Sequence, residues 1–201
     1  VVAANRAAIE LCRVGVRYRR VHDEASRVLA TWLRDEGLLR CDPDTSIETG
    51  AHAMFFPHGV GHLLGMDVHD LRNFGDRAAY SPGRARSPLF GTGYLRLDMD
   101  LEPGFVVTVE PGFYIVPAIL GNPEFQARFE GLVDFGRARE WLGFGGIRVE
   151  DDIVVTKQGP RNLTQGIPKD VHEIEAIVGK GPSARDRFLP AGPDRGLDIP
   201  G

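Results

Sequence analysis

A carboxylate in the middle of an apolar strand restricts what a chain can become more than any bulk property does. The run V-V-T-V-E-P-G-F-Y-I-V, Val106 to Val116, is β-branched and aromatic, with Glu110 near its centre, and it reads as a buried strand. Burying Glu110 is expensive unless the carboxylate is paired, protonated or bound to a metal. Pro111 cannot donate to a sheet ladder, so the strand must break, bulge or run along an edge there. A second strand-like run, G-G-I-R-V-E-D-D-I-V-V-T, covers Gly145 to Thr156. Alternation places Arg148, Glu150 and Asp152 on one of its faces and Ile147, Val149 and Ile153 on the other. An exposed face with a surface ion pair would account for Arg148 and Glu150; it accounts poorly for Glu110.

The run M-F-F-P-H-G-V-G-H-L-L-G-M-D-V-H-D, Met54 to Asp70, holds three of the chain's six histidines: His58, His62 and His69. Its flanks are apolar, which suggests a shaped, partly dry site. Gly59, Gly61 and Gly65 allow sharp turns and close approach of other groups. Neutral imidazole is both a common transition-metal ligand and the usual acid/base near pH 7. A histidine and two glutamates from three separated segments make half a shell for a divalent ion. Mixed imidazole and carboxylate donors suit Mn, Co, Fe or Zn more than Ca or Mg, and a two-metal site would activate water for hydrolysis.

With these motifs in place, the chain from Asn5 to about Val178 resembles the catalytic domain of the pita-bread metallopeptidases of the creatinase, aminopeptidase P and prolidase type. It is nearest to the Xaa-Pro dipeptidases and aminopeptidase P. The resemblance rests on P-H-G-V-G-H-L-L-G-M-D-V-H-D, L-E-P-G-F-V-V-T-V-E-P-G-F-Y, F-G-G-I-R-V-E-D-D-I-V-V-T and an I-P-K before an acidic helix. It implies an α+β fold, the pita-bread fold, with a curved, mostly antiparallel sheet backed by helices. It implies His62 as a metal ligand, Glu110 as ligand and acid/base, and Glu150 as a carboxylate bridging two ions. His58 and His69 would hold substrate and stabilise the tetrahedral intermediate, and Arg148 would be the supporting arginine of the proline-specific branch. The implied cofactors are two divalent ions, manganese first, with Co, Zn or Fe as alternatives. The implied partner is a peptide with proline at its second position, and the full-length protein is expected to be a homodimer. The methionine aminopeptidases carry a different, shorter histidine motif, which sets this chain outside that branch.

The chain departs from the family in one respect. Two aspartates on a strand hairpin, in a Y-x-S-D-x-T-R-T type context, complete the family's dinuclear site, and no such context occurs here. The sequence opens on Val-Val-Ala-Ala-Asn-Arg in a helical pattern without an initiator methionine. The expectation is a catalytic domain lacking the first part of its pseudo-repeat, with an incomplete metal site and no activity alone. Asp23, Asp35, Asp42 and Asp44 sit in helical or turn contexts and are not promoted to ligands.

Organisation and composition fit this reading. Val2 to about Arg13 is helical in pattern, and Val21 to Glu36 is an amphipathic helix ended by Gly37. Leu38 to Gly50 reads as a turn-rich connection, Arg72 to Arg96 as a solvated loop that could form a substrate rim, and Asn122 to Leu142 as a charged helical insertion docked by Phe125, Phe129, Leu132 and Val133. Pro168 to Val178 reads as a last helix with Val171, Ile174 and Ile177 inward. The domain is expected over 1–178, with a disordered tail over 179–201. A net charge of −4 gives no nucleic-acid footprint and no polybasic membrane patch. Cys12 and Cys41 are too few for a disulfide scaffold and read as reduced thiols of a cytoplasmic protein. No apolar run is long enough to span a bilayer. Two other functions remain in view: a non-catalytic pita-bread binding module, and a metal-free creatinase-like hydrolase. Retention of His58, His62, His69, Glu110 and Glu150 together argues against the module, and intact His62, Glu110 and Glu150 argue against the creatinase-like enzyme.

Overall fold

The computed structural model describes residues 1–70 and 74–181. Arg72 and Asn73 of the expected loop, and residues 182–201 of the expected tail, lie outside the described residues. The chain divides into one compact unit over Val1–Gly166 and a second over Ile167–Gly201.

Helix α1, Val2–Glu10, packs on α2, Tyr18–Asp35. Along α2 the buried residues Tyr18, Val21, His22, Ala25, Ser26, Leu29, Ala30 and Leu33 recur every three or four positions, the stripe of a helix with one covered face. This helix starts before Val21 because Tyr18 is itself buried and its amide donates to the Met99 carbonyl at 2.8 Å. Gly37, at φ 75°, ends it. Helix α1 stops at Glu10, short of the expected Arg13. The connection from Leu38 to Gly50 is a helix in part: α3, Pro43–Thr49, begins at Asp42, whose carboxylate accepts from the Asp44 and Thr45 amides. Asp-Pro at N-cap and N1 was its signal in the sequence.

The two strand-like runs both split, and at the same level. Strand β1, Val106–Val109, is followed by β2, Gly112–Tyr114; β3, Gly146–Arg148, is followed by β4, Asp151–Thr156. Strand β4 pairs antiparallel with β1 and with β5, Gly159–Asn162, while β2 pairs antiparallel with β3. Glu110–Pro111 and Val149–Glu150 therefore form a kink between two short sheets, where one continuous strand was expected over Gly145–Thr156. The cause is Pro111: it has no N–H for the ladder, and its carbonyl accepts from Val149 N at 3.2 Å instead. Ile147, beyond the kink, is 49% exposed, whereas Ile153 is fully buried.

The histidine run lies along the other side of β1. Leu64 N donates to Val106 O, Thr108 N to His62 O and Glu110 N to Val60 O, at 2.9, 3.0 and 2.7 Å. Gly61 makes this approach close: a Cβ there would lie 2.2 Å from Thr108 O and 2.3 Å from Tyr18 Oη. The core falls into two apolar clusters. One joins α1 and α2 to β1 and β4; the other joins the end of α2 to Phe55, Phe113 and the 115–138 region.

That region contains α5, Pro117–Leu120, α6, Pro123–Arg128, and α7, Phe135–Glu140. The expected insertion is thus two short helices, with Gly131 at φ 76° between them. Phe129 and Val133 are buried and dock it, and Phe125 and Leu132 pack beside them. The expected solvated loop is more ordered than its composition suggested. It carries α4, Asp76–Ala79, and buries Tyr80, Thr92 and Leu95. Within the second unit, α8, Val171–Ile177, is capped by Asp170. Val171, Ile174 and Ile177, expected to face inward, recur at helical spacing along it. Cys12 and Cys41 are both free thiols. Among the described residues no helix is long and apolar enough to cross a membrane.

Candidate active site

The kink and the histidine run meet at Glu110. This side chain is 8% exposed, and both its oxygens are engaged. Oε1 faces His62 Nε2 at 3.3 Å and accepts from Thr108 Oγ1 at 3.2 Å; Oε2 faces Arg148 Nη1 at 3.0 Å. Burial alone would raise the carboxyl's pKa, but the His62 hydrogen bond and the Arg148 charge outweigh it and hold it below the usual glutamate value. His62 responds in the opposite sense. Burial would lower it, yet Glu110 and the Leu63 carbonyl raise it above 6.5. His62 Nδ1 lies 2.8 Å from Leu63 O. A carbonyl only accepts, so Nδ1 carries the proton and Nε2 points at Glu110.

Arg148 reaches three partners. Besides Glu110, its Nε donates to Tyr114 Oη at 2.8 Å and its Nη2 lies 3.3 Å from His58 Nε2. His58 Nε2 is also 3.1 Å from Tyr114 Oη, and its Nδ1 is 2.8 Å from the Gly59 carbonyl. Burial lowers the pKa of His58; the Arg148 and Arg96 charges add to this, while the Gly59 carbonyl opposes it. His69 packs its ring edge-on against His62, with centroids 4.5 Å apart. Glu150, at the facing kink, is exposed. Its pKa is raised, first by desolvation and then by the negative charges of Glu110 and Asp152.

His58, His62, His69, Glu110 and Arg148 are thus brought together, and Glu150 stands within electrostatic reach of Glu110 and His62. Among the described residues, His, Cys, Asp and Glu side chains do not assemble in threes into a metal-holding cluster. The four aspartates set aside are occupied elsewhere: Asp23 by Arg19, Asp35 by Arg34, Asp44 by Arg27, and Asp42 by its helix cap. Sequence reasoning missed Thr108 and Tyr114 as site residues. Both lie at even spacing from Glu110, on the strand period that puts side chains on one face. Gly112, between them in that series, leaves the room Tyr114 needs: a Cβ there would lie 2.4 Å from its Oη.

Known sequences and solved structures include proteins similar to this chain. Residues 1–157 match the metallopeptidase family M24. An Xaa-Pro dipeptidase of Stenotrophomonas maltophilia is 38% identical over 170 residues, which is 83% of this chain and 38% of the relative. One from Xanthomonas campestris pv. campestris is 40% identical over 155 residues, 77% of this chain and 34% of the relative. The solved structure of Pseudomonas aeruginosa aminopeptidase PepP aligns with TM-score 0.61 at 36% identity, covering 88% of this chain and 32% of that one. Escherichia coli aminopeptidase P with the inhibitor Pro-Leu aligns with TM-score 0.61 at 35% identity, with the same coverage. The chain spans about a third of the length of these proteins. The α+β architecture is that of the pita-bread fold, and the chain belongs to metallopeptidase family M24.

Proposed function

We propose that this domain carries ligands and catalytic side chains of a metal-dependent exopeptidase that hydrolyses Xaa-Pro bonds of dipeptides or peptide N-termini. The observation that carries the reading is the pair His62 Nε2 and Glu110 Oε1, 3.3 Å apart in a buried setting. With Nδ1 committed to Leu63 O, a lone pair and a carboxylate face each other. Two such donors need a cation between them: a proton, which the raised pKa of His62 describes, or a metal ion. The donors fit a divalent transition ion, with His62 Nε2, the Glu110 carboxylate and Glu150 as its holders on this chain. Bound there, one or two such ions would acidify water and polarise the scissile carbonyl.

The chain's own residues supply the remainder. Glu110 takes and returns the proton at a carboxylate oxygen, close to the task of a general base held by fixed neighbours. Arg148 fixes that oxygen pair through Oε2 and keeps guanidinium N–H groups on the same side for a substrate oxygen, while His58 Nε2, unprotonated because Nδ1 faces the Gly59 carbonyl, accepts. His58 is kept neutral by burial, so it can hydrogen-bond without adding charge. His69 braces the His62 ring. With His62, Glu110 and Glu150 as its proposed ligands, the 201-residue chain holds part of a two-metal set, and no Xaa-Pro cleavage is expected from it alone.

The test is a chimera in which this chain replaces the 170 residues it matches in the S. maltophilia relative. It should bind a divalent ion stoichiometrically and cleave an Xaa-Pro dipeptide, a longer Xaa-Pro peptide, or both. A folded chimera that binds no metal would favour a binding module. Metal-free cleavage of another substrate would favour a creatinase-like hydrolase. Either result overturns the proposal.

A further inference from the structure

Strand β1 reads V-V-T-V, and its one hydroxyl is the point of interest. A valine at position 108 would serve β-propensity equally well. Thr108 is only 2% exposed, and a buried hydroxyl is unfavourable unless it finds partners. Here it has two. Thr108 Oγ1 accepts from the His62 backbone N–H at 3.1 Å and donates to Glu110 Oε1 at 3.2 Å. The residue's backbone is tied as well: its N–H donates to His62 O at 3.0 Å, and its carbonyl accepts from Tyr18 Oη at 2.6 Å.

We propose that Thr108 is a positioning residue for the reaction: its hydroxyl is a strut that fixes the acid/base carboxylate of Glu110 relative to His62. The inference rests on the reading of Glu110 and His62 given above. A glutamate has three rotatable bonds between backbone and carboxylate, and each added contact removes freedom at the reacting oxygen. Arg148 holds Oε2, from a half-exposed position. Thr108 holds Oε1 from inside the sheet, and the same oxygen atom of Thr108 grips the backbone of His62. Any shift of the histidine run along β1 is therefore passed to Glu110. Gly61 is what allows this, because a Cβ there would lie 2.6 Å from Thr108 Oγ1.

The test compares Thr108→Val, an isostere without the hydroxyl, with Thr108→Ser, which keeps it. In the 201-residue chain, amide hydrogen exchange at His62 should accelerate about tenfold or more in T108V, as expected for one lost hydrogen bond, and stay near the parent rate in T108S. In the chimera, T108V should lower kcat about 10- to 100-fold with KM within about twofold, the range for a lost hydrogen bond to a charged group, and T108S should restore most of it. Unchanged His62 exchange in T108V would overturn the strut. So would faster exchange with unchanged kcat, or a T108S as impaired as T108V. A parent chimera without activity would overturn the exopeptidase reading instead, and the exchange comparison alone would then decide the strut.

Discussion

Replacing Gly61 by alanine tests whether the histidine run is held against β1 as tightly as the geometry says. The new Cβ would lie 2.2 Å from Thr108 O, 2.6 Å from Thr108 Oγ1 and 2.3 Å from Tyr18 Oη. The first is strand backbone and the third belongs to a fully buried ring, so neither yields by a simple rotation. The run must move off β1. Overpacking of this kind costs about 1–3 kcal/mol. Separation also breaks the bonds from His62 N to Thr108 Oγ1 at 3.1 Å and from Thr108 N to His62 O at 3.0 Å, and leaving such buried groups without a partner costs about 1–3 kcal/mol more. The expected loss is about 2–6 kcal/mol, or about 4–24 °C in Tm for a chain of this size. Thermal and urea unfolding followed by circular dichroism measure it, with Gly166→Ala as the control. A Cβ at Gly166 meets nothing within 4 Å, so that variant should stay within about 0.5 kcal/mol of the parent. A G61A protein melting within about 2 °C of the parent would refute the close-packed account of this run.

Arg148→Lys should cut kcat/KM of the chimera about tenfold or more, because one ammonium cannot serve Glu110, Tyr114 and His58 from the three guanidinium nitrogens now engaged; full activity would return Arg148 to a surface ion pair. His62→Ala should lose the bound metal, whereas His58→Ala and His69→Ala should keep it and lose on the order of 10²-fold in turnover; equal metal loss in all three, by elemental analysis, would refute the division of roles. A further prediction concerns His22, fully buried, with a pKa pushed well below 6.5 by desolvation and then by His52. A histidine depressed in the folded state gives stability that is complete above the unfolded value of about 6.5 and is lost as pH falls through it, because the unfolded chain takes up the proton first. His22→Leu should flatten the fall in stability between pH 7 and 5, and an unchanged slope in urea unfolding would show that His22 does not set it.

Much of the site was legible in the sequence because its residues break local rules. A glutamate in a β-branched run, a proline after it and three histidines among glycines each conflict with ordinary strand chemistry, and such conflicts gather at functional sites. Thr108 and Tyr114 were not legible in the same way, since threonine and tyrosine are good strand formers and raise no conflict. Their roles depend on what lies across the strand, which a single sequence does not state. Helix α3 was hidden for another reason: its seven residues are too few for an apolar period to show, and only the Asp-Pro start betrays it.

Pro111 links the fold to the chemistry. Had residue 111 carried an N–H, β1 and β2 could have continued as one strand against one long partner, with Glu110 flattened into the ladder. Instead the strands are interrupted there, although Val149 N still donates to Pro111 O, and two backbone groups beside the interruption bond to elements other than β4. The Val109 carbonyl accepts from the buried Asn5 amide of α1 at 2.9 Å, and Glu110 N donates to Val60 O at 2.7 Å. The first bond ties the break to the helical layer; the second ties it to the histidine run two residues from His62. The groups beside the interruption are thus among those that hold Glu110 and His62 at fixed separation. This explains how a buried carboxylate and an imidazole can face each other here without a loose, adaptable loop between them. It also explains why the interruption is shared by both strands: the register runs through it unshifted, with Val149 N still donating to Pro111 O, so Glu150 stands opposite Glu110 and Arg148 reaches its oxygen.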